Sequence, residues 1–189
     1  MSTRRPLLAT LALAVALGAG VERAVAEGVT SDEPTDAQIL RRIAHWRKQT
    51  WHWQTVLGRR RTRASEPVRG VADRQYKLWL LQVWRQRAGW IWLRAKHPAH
   101  KRQWRCIQRY EGPWRSYPGG PGLLDSGGPY YGGLQMDLEF QRTYGAYLLH
   151  KKGTANRWSP LEQMWVAERA YKTRGFYPWP TTAAYCGLI

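Results

Sequence analysis

Apolar residues at Ile39, Ile43, Trp46, Trp53 and Leu57 recur at a spacing near that of an α-helix, while Arg41, Arg42, Arg47 and Lys48 fall largely on other faces. The pattern predicts a helix that is capped at Thr35 or Asp36 and closed by Gly58. A second stripe begins after Asp73 with Tyr76, Leu80, Val83, Trp84, Trp90 and Leu93, and runs until His97-Pro98. Residues 58–70 between them, GRRRTRASEPVRG, combine arginines with a proline and terminal glycines and predict a loop. Residues 37–99 therefore read as a basic, tryptophan-rich helical hairpin.

A third periodic segment starts near His100, carries Trp104, Ile107 and Tyr110, and breaks at Gly112-Pro113. The stretch that follows is rich in glycine and proline, and Pro129-Tyr130-Tyr131-Gly132-Gly133 suggests a short β-hairpin or extended segment. Asp137 is placed to cap a helix that ends by Gly153. Ser159-Pro160-Leu161-Glu162 has the form of a capping box with proline at the first helical position, opening a helix that ends at Gly175. The expected architecture is α+β and mostly helical: the basic helical hairpin, then a small domain over residues 100–189 with a short β-hairpin region.

Charge divides the chain differently from hydropathy. Residues 41–105 carry 18 basic against 2 acidic residues, a net +16, whereas residues 1–40 stand at −2 and residues 106–189 at +3. Such a field attracts any polyanion, so the compartment must decide among nucleic acid, lipid headgroups and acidic wall polymers. Arg4 and Arg5 precede an apolar run from Leu7 to about Val21 and the small triplet Ala24-Val25-Ala26, the three-part layout of a secretory signal. The run is short for a spanning helix, which needs about 20 residues. The reading is a signal peptide over 1–26, a linker over 27–36 and a secreted, wall-associated protein. The membrane is then met only transiently, nucleic acid is not a partner, and residues 41–105 are a candidate surface for anionic wall polymers.

Eight of the twelve tryptophans lie in that same basic segment. They can form a stacking surface for sugars, or pack a two-helix unit too small to build a core of its own. The two cysteines, Cys106 and Cys186, form either a disulfide, as an even count in an exported chain favours, or two buried thiols. No histidine or cysteine spacing suits a metal, and no cofactor is called for.

Glu111 is an acid at the C-terminal end of a helix, where the peptide dipole favours cations. That position, with Tyr110 and Trp114 near enough in sequence to exclude water, would raise its pKa and suit it to act as a general acid. The plainer alternative is an exposed glutamate on a final turn.

Four separated blocks bear on that choice. Residues 104–112 (WRCIQRYEG), 130–137 (YYGGLQMD), 162–168 (EQMWVAE) and Trp179-Pro180 together resemble, in order and spacing, the catalytic domain of the resuscitation-promoting factors, a lysozyme-like group that cleaves peptidoglycan glycan strands. The resemblance covers about residues 100–189. It implies that Glu111 is the catalytic acid/base, that Gly133 and Gln135 belong to a cleft wall, that Tyr131 offers a stacking face, and that Asp137 and Gln163 occupy polar cleft positions. Cys106 and Cys186 are each displaced by about a helical turn from the family's pattern, and that paired shift is compatible with a bridge between them. Asp125 and Asp137 are the only nearby candidates for a second carboxylate, and neither suits the role, so the resemblance implies a single-carboxylate route. The expected activity is a muralytic glycosidase or lytic transglycosylase cutting the MurNAc-GlcNAc β-1,4 bond. The alternative is a secreted, non-catalytic protein that only binds wall glycan.

Overall fold

In the structure, a computed structural model, residues 33–64, 73–118 and 128–189 are described, and Pro34–Ile189 forms a compact unit separate from Met1–Glu33. The expected signal peptide and Asp125 lie outside the described residues. Among the described residues six α-helices follow in order: α1 (Asp36–Val56), α2 (Arg74–Ala95), α3 (Lys101–Glu111), α4 (Leu138–Lys152), α5 (Pro160–Arg174) and α6 (Pro180–Tyr185), with a 3-10 turn over Ala155–Arg157. No described helix is long and apolar enough to cross a membrane.

The caps legible in the sequence form as expected. Thr35 accepts from the Gln38 N–H and the Gln38 side chain answers to the Thr35 N–H, so two otherwise unpaired donors at the start of α1 are satisfied reciprocally. Ser159 and Glu162 do the same for α5, with Pro160 at the first turn. Asp137 caps α4 as expected, and Asp73, where the second helical pattern begins, caps α2.

α1 and α2 run parallel, so the segment is not a hairpin. At one end of the pair Asp36 bonds Arg74 and Lys77, and Ile39 and Ile43 pack with Leu80 and Trp84. At the other end the Trp53 ring lies tilted against that of Trp92, and Val56 joins Ile91 and Ala95. Residue numbers rise together along both helices. The reason is the long connection over 57–73: the chain turns back at Gly58, whose φ is +69°, and Thr62 lies beside the last turns of α1, accepting from Trp51 Nε1 at 2.7 Å and bonding Gln54. At about 3.3 Å per extended residue, a connection of this length can retrace a helix of about 30 Å.

This pair has two cores. The end holding Ile39, Ile43, Leu80 and Trp84 is a small cluster of its own. The other end sinks Trp53, Val56, Ile91 and Ala95 into the main core with Trp104, Ile107, Leu148, Val166 and Trp179. Arg169 on α5 helps to hold the join, donating to the Val56 and Tyr144 carbonyls. The buried face of α2 is Lys77, Leu80, Trp84, Ala88, Ile91 and Ala95. Trp90 and Leu93, which the periodicity assigns to the apolar stripe, are 75% and 56% exposed.

The expected α+β architecture is incorrect: the described residues are helical, with one isolated antiparallel bridge between Tyr131 and Met136 and no sheet. The bridge has both backbone bonds, Tyr131 N–H to Met136 O at 3.1 Å and Met136 N–H to Tyr131 O at 3.0 Å. It cannot lengthen into a ladder. On one side Asp137 already caps α4, and on the other Pro129 has no N–H to donate. The glycine-rich segment thus closes as a four-residue turn where a β-hairpin was expected.

Candidate active site

α3 stops at Glu111 because Gly112 adopts φ +143°, a left-handed value that favours glycine, and Pro113 cannot continue the helix. Trp104 and Ile107 are fully buried and anchor one face of α3. Trp104 Nε1 donates to Glu168 Oε1 at 2.9 Å, and the Cys106–Cys186 disulfide ties the same helix to the end of α6. These anchors fix the last turn of α3 against α6.

Across that junction Thr182 Oγ1 donates to Glu111 Oε1 at 2.8 Å. Glu111 is half-buried, and loss of hydration raises its pKa above the ordinary glutamate value, an effect the Thr182 hydrogen bond opposes but does not cancel. No ion pair reaches it among the described residues. Tyr110 does not contribute the shielding expected from sequence: it is exposed, with its ring 5.5 Å from that of Tyr185.

The turn at 131–136 is stapled to the loop after α3. Gly132 N–H donates to Ser116 O at 2.7 Å, and Ser116 Oγ donates to Gly132 O at 2.9 Å. A methyl group on Gly133 would sit 2.8 Å from the Trp114 ring and 2.9 Å from the Trp114 backbone, so only glycine permits this approach. Trp179 Nε1 donates to Leu134 O at 2.6 Å from the start of α6. α3, the following loop, the turn and α6 therefore converge.

Of the other residues singled out in the sequence, Gln163 is buried and braces this arrangement from within. Its Oε1 accepts the Gly133 N–H at 2.9 Å, and its Nε2 reaches the carbonyls of Trp114, Ala155 and Trp158. Asp137 Oδ1 is engaged by the Phe140 N–H at 2.7 Å as a helix cap. Tyr131 is half-buried against the main core. Gln135 turns its Nε2 onto Ser116 Oγ and Gly132 O, leaves its buried Oε1 without a partner, and holds φ +45°, which is unusual for a residue with a side chain. A left-handed non-glycine residue and an unanswered acceptor in one turn are the kinds of local cost that collect at binding sites.

The sequence pattern gave no sign of Thr182 and Ser116. Thr182 lies in a tail too short to show helical periodicity, and Ser116 in a loop of no periodicity. What the arrangement offers chemically is one carboxyl group, disposed towards protonation, at the end of a rigid helix. Comparison with known protein families, with curated proteins and with solved structures finds no match.

Proposed function

We propose that the chain is an exported enzyme that cleaves peptidoglycan glycan strands at the MurNAc-GlcNAc bond, with Glu111 as its single acid/base. The observation that carries this reading is the state of Glu111: half-buried at a helix end, met by one hydroxyl and raised in pKa. A carboxylic acid whose pKa is raised can give its proton to a glycosidic oxygen as that bond breaks, and the resulting carboxylate can then act as base. Asp137 is committed to its cap, which favours one carboxyl group acting in both steps. The resemblance of the four sequence blocks to the resuscitation-promoting factors supports the choice of substrate, and the unpartnered Gln135 acceptor gives a sugar hydroxyl or acetamido N–H something to meet.

If the base takes a proton from the sugar's own 6-hydroxyl, the product ends in an anhydro ring; if it takes one from water, the product is a reducing end. The test is purified sacculi treated with the wild-type chain or with Glu111→Gln, followed by mass spectrometry of released muropeptides. Glu111→Gln is expected to lower release by at least about a thousandfold while wall binding persists. Wild-type binding with no release would make this a glycan-binding protein. Release unaffected by the substitution would remove Glu111 from the chemistry.

A further inference from the structure

A second groove, of about 390 Å3, lies where the C-terminal end of α2, α3 and the start of α5 meet; Trp92, Lys96, Lys101, Arg105, Trp114 and Met164 are among its walls. We infer that it is a subsite for an acidic unit of the glycan, a sugar bearing a carboxylate or a phosphate. This rests on the reading of the chain as a glycan-cleaving enzyme and extends it to what the enzyme holds beside the reacting bond.

Three features of the groove select that ligand. Its wall contains two tryptophans, one exposed and one half-buried, and flat indole faces suit the C–H faces of a pyranose ring. It contains three permanent cations and no carboxylate, and none of Lys96, Lys101 and Arg105 is ion-paired among the described residues. Lys101 Nζ rests on the Lys96 carbonyl at 2.9 Å, which leaves its charge uncompensated. Unpaired cations gathered at a concave, partly desolvated surface repel one another and are relieved by an anion of matching reach. Finally, the volume falls within the range of small-ligand sites.

The groove shares α3 and Trp114 with the candidate active site. Lys101 and Arg105 lie one turn apart on α3, the helix that ends in Glu111. Trp114 both lines the groove and forms the surface on which Gly133 is packed. A strand that places one sugar at the turn can therefore set a neighbouring acidic group against the cations.

The experiment uses the Glu111→Gln chain, in which binding is read apart from cleavage, with and without the further pair Lys96→Gln and Arg105→Gln. Both side chains reach solvent, so their loss is not expected to unfold the chain; a melting curve checks this. The probes are glycan strands freed of stem peptides by an amidase, which leaves a carboxylate on the sugar's lactyl group, and neutral chitooligosaccharides of the same length. The double substitution is expected to weaken binding of the acidic strand about tenfold, in line with two charge-assisted contacts at part-exposed sites, and to leave the neutral oligosaccharide unchanged. The gap should close at high salt. Strands that keep their stem peptides, in which the lactyl carboxyl is an amide, and walls with and without their acid-labile phosphodiester polymer, identify which anion is bound. Equal weakening of both probes, or none, overturns the proposal, and either result is independent of whether Glu111→Gln abolishes cleavage.

Discussion

Two glutamates show how far a single fold can push one side chain in opposite directions. Glu162, at the α4–α5 junction, is almost fully buried, yet Lys152 Nζ bonds both of its oxygens at 2.6 and 2.8 Å, His52 Nε2 stands 2.8 Å away, and the Ser159 N–H donates to it. Burial alone would raise its pKa; these partners overcome that and hold it at about 2. Glu111 is less buried, but only Thr182 answers it, and its pKa moves up. The number and charge of the donors decide the outcome. One carboxylate is a structural anion that joins α1, α4 and α5, and the other is left able to carry a proton.

The comparison breaks most sharply if Glu162 is removed. Glu162→Ala leaves Lys152 and His52 facing a partly buried void, and the chain should lose about 3 kcal/mol or more of stability, measured by denaturant unfolding. Glu111→Gln should lose none, since it removes a carboxylate whose ionisation the fold disfavours. A loss of stability there comparable to that of Glu162→Ala would erase the distinction between the two.

Acid titration sharpens it further. A lowered pKa contributes stability that is present above the ordinary value of 4.5 and is lost as pH falls through about 2, so Glu162 should produce a falling melting temperature over that window. Glu111 has the opposite sign: its raised pKa makes the folded chain prefer the protonated form, so its cost grows as pH rises above 4.5. Glu162→Gln should flatten the acid limb of melting temperature against pH, and Glu111→Gln should flatten a shallower decline on the neutral side.

The smallest effect is expected from Thr182→Val. Loss of the hydroxyl removes the one contact that favours ionised Glu111, so the pH–rate profile should move upward, with kcat at the optimum changed by about threefold or less. A downward movement would show that Thr182 raises the pKa, and would reverse the account of this site.

Local chemistry made much of this fold legible. Thr35, Asp73, Asp137 and Ser159 announce helix starts because their side chains compete for unpaired N–H groups, and Gly58, Gly112, Gly153 and Gly175 mark ends because they take φ values that other residues resist. What could not be read is how helices face one another. The spacing on α1 and α2 is the same whether they run parallel or antiparallel. The stripe on α2 was misplaced for a related reason: Lys77 is buried because Asp36, 41 positions away, neutralises it at 2.6 Å, while Trp90 is left outside. At the candidate site, Glu111 stood out as a charge on the wrong end of a dipole, whereas Thr182 reaches it only through tertiary contact. The resemblance gives Gln163 as a polar cleft residue, yet its amide is engaged inside the fold by the Gly133 N–H and the carbonyls of Trp114, Ala155 and Trp158.

The Cys106–Cys186 bond spans a sequence separation of 80 and fastens the chain's last helix beside its candidate acid. Where thiols are kept reduced, that covalent constraint is absent, and the short α6, with Thr182 on it, stays in place only by packing and hydrogen bonds. Oxidation then does two things at once: the crosslink that hardens the domain also secures the helix that carries the one hydroxyl bonded to Glu111.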